Sequence, residues 1–138
     1  MNEHLGHARF ERLPGPEATA LLRTHQVGRV AWESAEGPVI LPVAYAWAEE
    51  RIAFRAGSNS LLAALAHSTE VAFQIDEFDV DTGTGWSVLV RGVTDQVTDT
   101  ATQQWWAPLL PEPWAPGARE VLIRLTAHQV SGRVVVRA

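Results

Sequence analysis

The chain has 138 residues, a formal net charge of −5, no cysteine and no lysine. The missing cysteines exclude disulfides, thiolate metal sites and a cysteine nucleophile, and the missing lysines exclude a Schiff base. The acidic balance argues against a nucleic-acid partner. The polar start and the short apolar runs predict a cytoplasmic protein without a membrane partner.

The predicted elements, taken in chain order, are mostly short strands. Residues 1–13 are expected to form a flexible N-terminal arm, and residues 14–138 a single domain. Gly15-Pro16-Glu17 is typical of a helix start, because proline suits the first turn and glutamate favours its positive end. Seven predicted strands follow, at residues 27–32, 39–47, 51–55, 70–75, 86–98, 121–126 and 130–136.

Most of these strands follow one another without an intervening helix. This pattern favours a mainly antiparallel barrel or sandwich over a parallel sheet. Two further short helices are expected, at residues 61–66 and 100–110. Pro42 lacks an N–H group and predicts an unpaired stretch, a sheet edge or a bulge. Gly92 predicts a bulge or a close approach of two backbones.

The common chemical motifs are missing. The five histidines are scattered along the chain, and no metal site is predicted. The acidic stretch 76–85 lacks the glycine and glutamate that a calcium loop needs, so it is expected to be a solvated loop. Three tryptophans lie in a polar, proline-rich segment and predict either a plug at the barrel mouth or an interface: Trp105, Trp106 and Trp114.

One group of residues carries a specific chemistry. A predicted strand ends at Arg55, and Gly57, Ser58 and Ser60 precede a helix start. Unpaired N–H groups at a helix start, a guanidinium fork and a glycine that allows close approach together suit a phosphate group. Taken alone, the same residues also fit a capped helix after a hairpin, with Arg55 on the surface.

Six segments occur in the order found in a known family: residues 27–32, 38–45, 52–65, 71–76, 85–92 and 130–133. In this order they resemble the pyridoxamine 5′-phosphate oxidase-like family of flavin-binding split barrels, in the small bacterial branch that includes the nitroimidazole-resistance reductases. The resemblance implies a six- to seven-stranded antiparallel split β-barrel with Greek-key connections and two or three short helices. It also implies a homodimer with FMN in a cleft at the interface.

The resemblance further implies which residues hold the cofactor. The segment 54–61 matches the phosphate-binding segment, and the strand 42–45 matches the one that lies along the flavin ring and gives it backbone hydrogen bonds. Residues 86 and 87 match the segment that closes the site. The implied cofactor-binding residues are Pro42, Val43, Ala44, Tyr45, Phe54, Arg55, Ser58, Ser60, Leu61, Trp86 and Ser87. No catalytic side chain is implied.

Two positions depart from the family pattern. Ser60 stands where the family usually has a lysine, and Ala44 stands where a polar side chain is common. Losing a charge-assisted hydrogen bond to the phosphate costs about 1.5–3 kcal/mol. FMN binding is therefore expected to be weak.

The sequence thus predicts an FMN-dependent oxidoreductase of unknown substrate. It would take hydride from a reduced nicotinamide and pass electrons to a small-molecule acceptor. Two alternatives stay open: a degenerate barrel that acts as a non-catalytic interaction module, and a barrel that binds deazaflavin or haem, with His67 and His128 as haem ligands. The subunit from which Arg133 approaches the cleft is open as well.

Overall fold

The computed structural model describes residues 8–112 and 119–137, in which eight strands form one antiparallel sheet. The strands are β1 (Ala8–Leu13), β2 (Val27–Ser34), β3 (Gly37–Ala44), β4 (Ala46–Ala48), β5 (Arg51–Ala56), β6 (Glu70–Asp79), β7 (Thr84–Gln96) and β8 (Val121–Arg137). Two α-helices, α1 (Gly15–Thr24) and α2 (Thr100–Trp106), and two 3₁₀ helices, Leu61–Ala66 and Ala107–Leu109, complete the described elements.

The strand order is β3-β2-β6-β7-β8-β5-β4, and β1 pairs with β8 outside this path. β8 is the longest strand, so it pairs with β7 along most of its length, with β5 at its start and with β1 at its end. The sheet curls until β3 and β5 approach each other, with Cα atoms within 8 Å. The predicted fold class, a mostly antiparallel split β-barrel with few helices, is confirmed.

Alternation along the strands builds the core inside the barrel. Val30, Phe73 and Val88 come from three neighbouring strands, and each is fully buried. Helix α1 covers one opening with its buried Leu22. A second, smaller apolar cluster lies outside the barrel wall, where Trp106 of α2 packs with Ala46, Ala53, Val97 and Leu122.

The strand count differs from the predicted six or seven for three reasons. Residues 8–13, expected in a flexible arm, form β1, because the end of β8 offers them a full antiparallel ladder. The predicted strand 39–47 is interrupted at Tyr45, which separates β3 from β4. Residues 121–136, predicted as two strands, form one. Residues 1–7, Trp114 and the last residue lie outside the described part.

Several local predictions are confirmed. Pro42 lies on β3, which is an edge strand of the sheet. Gly92 lies at a register shift between β7 and β8, where a Cβ atom would overlap the carbonyl oxygen of Thr126. The acidic stretch is only partly a loop, because β6 continues to Asp79 and β7 begins at Thr84. No helix in the described ranges is long and apolar enough to cross a membrane.

Candidate functional site

The side of the sheet that faces away from the core, called the outer face here, carries three rows of paired residues. The strand registers place Arg29, Gln74, Leu89 and Ser131 in one row. They place Ile40, Ala31, Ala72, Arg91 and Gln129 in the next row, and Asp76, Ser87, Arg133 and Arg12 in the third. Two pockets on this face touch residues of the implied cofactor site, Pro42 in one and Ser87 in the other.

The first pocket, called the His25 pocket, has a volume of about 310 Å³. It lies where α1 ends and β2 begins, next to the edge strand β3. His25 and Pro42 lie on its wall, and Arg29 and Asp76 supply its charges; its lining residues are His25, Gln26, Val27, Gly28, Arg29, Pro42 and Asp76. The Arg29 guanidinium and the Asp76 carboxylate lie 3.6 Å apart, so their charges compensate. The pocket is therefore close to neutral.

The orientation of the His25 ring is fixed by two contacts. Its Nδ1 lies 2.8 Å from the carbonyl oxygen of Leu21 in the last turn of α1, so this nitrogen carries the proton that it donates. The ring packs edge-on against the indole of Trp86, with 5.0 Å between centroids. In this tautomer Nε2 is the ring nitrogen that can accept a hydrogen bond.

Strand β3 presents alternate residues to the core and to the outside. Pro42 is exposed and Ala44 is half-buried, whereas the side chains of Val43 and Tyr45 are buried in the core. The Val43 side chain therefore belongs to the core and not to the cofactor site that the resemblance implied. The N–H of Tyr45 donates to the carbonyl oxygen of Gln26 at 2.9 Å. By alternation, the N–H of Ala44 and the C=O of Pro42 point toward the edge that β2 does not occupy.

Tyr45 has a structural role that accounts for its burial. Its hydroxyl donates to the carbonyl oxygen of Leu22 at 2.7 Å, and its ring packs edge-on against Phe73. Burial raises the pKa of the Tyr45 phenol well above its ordinary value, so the group stays protonated. The assignment of the Tyr45 side chain or N–H to a cofactor conflicts with these contacts.

The predicted phosphate-binding residues form a separate group after β5. Phe54 is fully buried, so its side chain belongs to the core, whereas Arg55 is exposed. The hydroxyl of Ser60 donates to the carbonyl oxygen of Gly57 at 2.7 Å, and the hydroxyl of Ser58 lies 3.4 Å from a carboxylate oxygen of Glu120. Leu61 begins the 3₁₀ helix and is half-exposed. Arg55 is thus the one cation of this segment that can bind an anion. The Glu120 carboxylate beside Ser58 would repel an anion bound there.

Trp86 and Ser87 point to opposite sides of β7. Trp86 is partly buried against the core and touches His25, whereas Ser87 lies on the outer face opposite Asp76 and Arg133. The structure therefore brings Pro42 and Trp86 together at His25, although 44 positions separate them in the chain. Sequence reasoning did not select His25. The available signal was its position two residues before the segment 27–32, and the fold is needed to show that this position lines a pocket.

The described residues contain no group of three or more His, Asp or Glu side chains placed to hold a metal ion. His67 and His128, named above as alternative haem ligands, lie respectively at the end of the 3₁₀ helix Leu61–Ala66 and within β8.

Known proteins share this sequence and this fold. The chain is 29% identical over 125 residues to an uncharacterized protein, Rv0080, of Mycobacterium tuberculosis, covering 87% of this chain and 82% of that one. The structure of a FAD binding protein from Mycobacterium smegmatis superposes with a TM-score of 0.70 at 26% identity, covering 91% and 98% of the two chains. A conserved protein of unknown function from Corynebacterium diphtheriae gives a TM-score of 0.77 at 28% identity, covering 92% and 98%.

A match to a protein family covers most of the chain. Residues 15–137 match the family described as pyridoxamine 5′-phosphate oxidase, from the first residue of α1 to the last residue of β8. The matched range contains every residue of the His25 pocket. This chain therefore belongs to the pyridoxamine 5′-phosphate oxidase family.

Proposed function

We propose that this chain binds a flavin at the His25 pocket and acts as a flavin-dependent oxidoreductase. The observation that carries the proposal is a pocket that Pro42 and His25 both line, in which the His25 ring is backed by Trp86 from a distant segment. The similarity to a FAD binding protein of Mycobacterium smegmatis supports a flavin as the ligand.

The residues of the pocket fit a flat, uncharged ring system. Pro42 and the half-exposed Val27 offer an apolar wall, and the Arg29–Asp76 pair leaves no net charge to repel a neutral ring. The free edge of β3 offers the N–H of Ala44 and the C=O of Pro42, which suit the polar edge of a flavin. A concave site with an apolar wall and a few fixed polar groups is typical of cofactor sites.

A bound flavin supplies the hydride and electron transfer that no side chain provides. The chain itself would orient the ring along β3 and present to it the His25 ring, which packs against Trp86. Because Nδ1 of His25 donates its proton to Leu21, Nε2 is the ring nitrogen that would accept a hydrogen bond from a bound molecule. The donor is proposed to be a reduced nicotinamide and the acceptor a small molecule.

FMN is the flavin that the sequence favours, and its phosphate would depend on Arg55. Ser60 uses its hydroxyl within the turn, and the Glu120 carboxylate lies beside Ser58. Both features support weak FMN binding, because a phosphate at this place would meet one guanidinium and one opposing carboxylate.

The outer face supports a homodimer whose interface includes the pocket. The row that contains Arg91 starts with the exposed Ile40, followed by Ala31 and Ala72, and Val27 and Phe10 add further exposed apolar surface. A row of small and apolar side chains on a sheet face is suited to pack against a second copy of the same face.

The test is the visible absorption spectrum of the purified protein, before and after addition of FMN, with mass spectrometry of anything released on unfolding. A yellow protein that releases a flavin is expected, and Arg55→Ala is expected to bind FMN about ten- to a hundredfold more weakly. A colourless protein that ignores both FMN and FAD would contradict the proposal. An unchanged FMN affinity of Arg55→Ala would show that Arg55 does not bind the phosphate.

A second candidate function is a non-catalytic interaction module. It is favoured by a pocket of about 340 Å³ next to α2, where the half-exposed Trp105 lies beside Arg51. The Nε atom of Arg51 is buried there without a hydrogen-bond partner in the described ranges. A reducible flavin bound in equal amount to the protein would argue against this candidate.

A further inference from the structure

The second pocket on the outer face gathers three arginines. It has a volume of about 400 Å³, and Arg12 of β1, Arg91 of β7 and Arg133 of β8 line it. We call it the arginine pocket. The hydroxyl-bearing residues Ser87 and Ser131 lie on the same wall.

The strand register forces two of these charges together. Arg12 and Arg133 lie directly opposite each other in the β1–β8 ladder, on the same face of the sheet. Like charges in directly opposed positions destabilise a sheet. The arrangement therefore has a cost in the folded protein that an anion between the two guanidinium groups would offset.

Neutral groups hold the arginines in place without cancelling their charge. The guanidinium carbon of Arg133 lies 4.7 Å from the centre of the Phe10 ring, a cation–π contact. Nη1 of Arg91 donates to the side-chain oxygen of Gln129 at 3.0 Å. These contacts restrict two guanidinium groups while leaving their charge uncompensated.

The carboxylates nearest to this pocket do not pair with its arginines. Glu11 also lines the pocket, but its Oε2 accepts hydrogen bonds from Nε and Nη2 of Arg9, at 3.0 and 2.8 Å. Arg124 is paired with Asp95 at 2.7 Å. Within residues 8–112 and 119–137, no ion pair joins a carboxylate to any of the three arginines of the pocket. In the part of the chain that the structure describes, three arginines without an ion pair thus line one pocket, although the net charge of the protein is −5.

We infer that the arginine pocket binds a diphosphate group. Planar guanidinium forks bind phosphate oxygens in pairs, and three of them, with two serine hydroxyls nearby, match a ligand that carries more than one negative charge. The ligand is linked to the flavin site, because Ser87 of this pocket lies opposite Asp76 of the His25 pocket in the β6–β7 ladder. This link rests on the proposed function, whereas the anion site itself does not.

The direct test is a calorimetric titration with inorganic pyrophosphate at low ionic strength. The wild-type protein is expected to bind saturably, and Arg12→Gln and Arg133→Gln are each expected to bind about tenfold more weakly or worse. The matched control is Arg23→Ala, which removes the same charge from the exposed last turn of α1. Absence of binding to the wild type, or equal losses in the control, would overturn the inference.

Thermal unfolding separates a binding role from a structural one. Without pyrophosphate, Arg12→Gln is expected to melt at the same temperature as the wild type or higher, because it relieves the repulsion with Arg133. With pyrophosphate, only the wild type and Arg23→Ala are expected to gain stability. A lower melting temperature of Arg12→Gln without pyrophosphate would mean that the arginines stabilise the fold, against the inference. A carboxylate of a second copy that neutralised the pocket would also count against the inference.

Two sources of a diphosphate are distinguished by dinucleotides. If the group belongs to the flavin, the wild type binds FAD more tightly than FMN, and Arg133→Gln removes that difference. If it belongs to a nicotinamide donor, Arg133→Gln weakens NADH binding to the flavin-loaded protein and leaves flavin affinity unchanged. If Arg133→Gln changes neither the preference for FAD over FMN nor the affinity for NADH, the link to the flavin site is wrong. The anion site itself is still tested by the pyrophosphate titration. Failure to bind any flavin contradicts the proposed function alone.

Discussion

Tyr45, His25 and Gln26 tie the end of α1 to the barrel. The Tyr45 hydroxyl binds the carbonyl oxygen of Leu22, its N–H binds that of Gln26, and Nδ1 of His25 binds that of Leu21. The last carbonyl groups of a helix have no partner within it, so these contacts satisfy two of them. They also fix the position of the His25 ring, and through it one wall of the pocket.

Replacement of Tyr45 by phenylalanine tests its assignment to the core. Tyr45→Phe removes one buried hydrogen bond and keeps the ring, so the free energy of unfolding is expected to fall by about 0.5–1.5 kcal/mol. Urea denaturation measures this change. The flavin affinity of Tyr45→Phe is expected to stay within twofold of the wild-type value. A large loss of affinity with unchanged stability would show that Tyr45 belongs to the binding site after all.

The burial of Tyr45 is also expected to make the stability of the fold depend on pH in the alkaline range. Burial raises the folded-state pKa of Tyr45 above its ordinary value of 10.0. Below pH 10 the phenol is protonated in both states, and its contribution to stability is complete. Above pH 10 the unfolded state ionises first, so stability is expected to fall with rising pH. Urea midpoints between pH 9 and 11 should decline more steeply for the wild type than for Tyr45→Phe, and parallel declines would contradict this origin.

At the scale of elements, β8 organises the molecule because three strands pair with it. The bulge at Gly92 lets β7 follow β8 past His128, which the register leaves without an opposite residue. Upstream of the bulge, the odd-numbered residues Ser87, Leu89 and Arg91 face outward. The bulge therefore helps to set which side chains of β7 and β8 line the outer face.

A methyl group at the bulge is expected to be costly. A Cβ at Gly92 would overlap the Thr126 carbonyl oxygen and crowd Leu125, so Gly92→Ala is expected to lower the free energy of unfolding by about 1–3 kcal/mol. Gly15→Ala is the matched control, since nothing lies within 4 Å of its Cβ position, and its stability should be unchanged or slightly higher. Chemical denaturation compares the two variants, and equal effects would show that the bulge tolerates a side chain.

The sequence predicted the elements whose pattern reflects burial. In strands β2, β5 and β6, buried and exposed residues alternate or buried residues follow one another, because one or both faces of each strand are covered. Strand β1 gave no such signal, since five of its six residues are exposed and its partner is the distant end of β8. Tyr45 was assigned to the cofactor from a matching segment, and its contacts with Leu22 and Phe73 depend on packing that no local pattern encodes.

At the scale of the whole molecule, the site is a product of the sheet order. The family resemblance named Pro42 and Trp86, yet their meeting at His25 follows from the curl of the barrel and the position of α1. The three arginines come from β1, β7 and β8, and their spacing in the sequence gives no hint of a common pocket. Sequence reasoning selected Arg55 as the anion-binding residue, whereas the fold brings three other arginines together on the outer face.

A dimer through the outer face gives a measurable mass. Light scattering after size exclusion should give twice the 15.1 kDa of the chain. Ile40→Asp places a charge in the apolar row of this face and is expected to shift the protein toward monomer. Val80→Asp, at an exposed turn residue outside the rows, is the control and should remain dimeric. A monomeric wild type, or a dimer that is indifferent to Ile40→Asp, would contradict this interface.

The most direct measurement is an equilibrium titration of flavin-free protein with FMN and with FAD, followed by flavin fluorescence. His25→Ala removes an aromatic wall of the pocket, and an aromatic contact with a bound ring is worth about 0.5–1.5 kcal/mol, so its flavin affinity is expected to fall about two- to tenfold. His67→Ala, at an exposed residue outside the pocket, is expected to match the wild type. Equal affinities of wild type and His25→Ala, or no flavin binding to either, would show that the His25 pocket is not the flavin site.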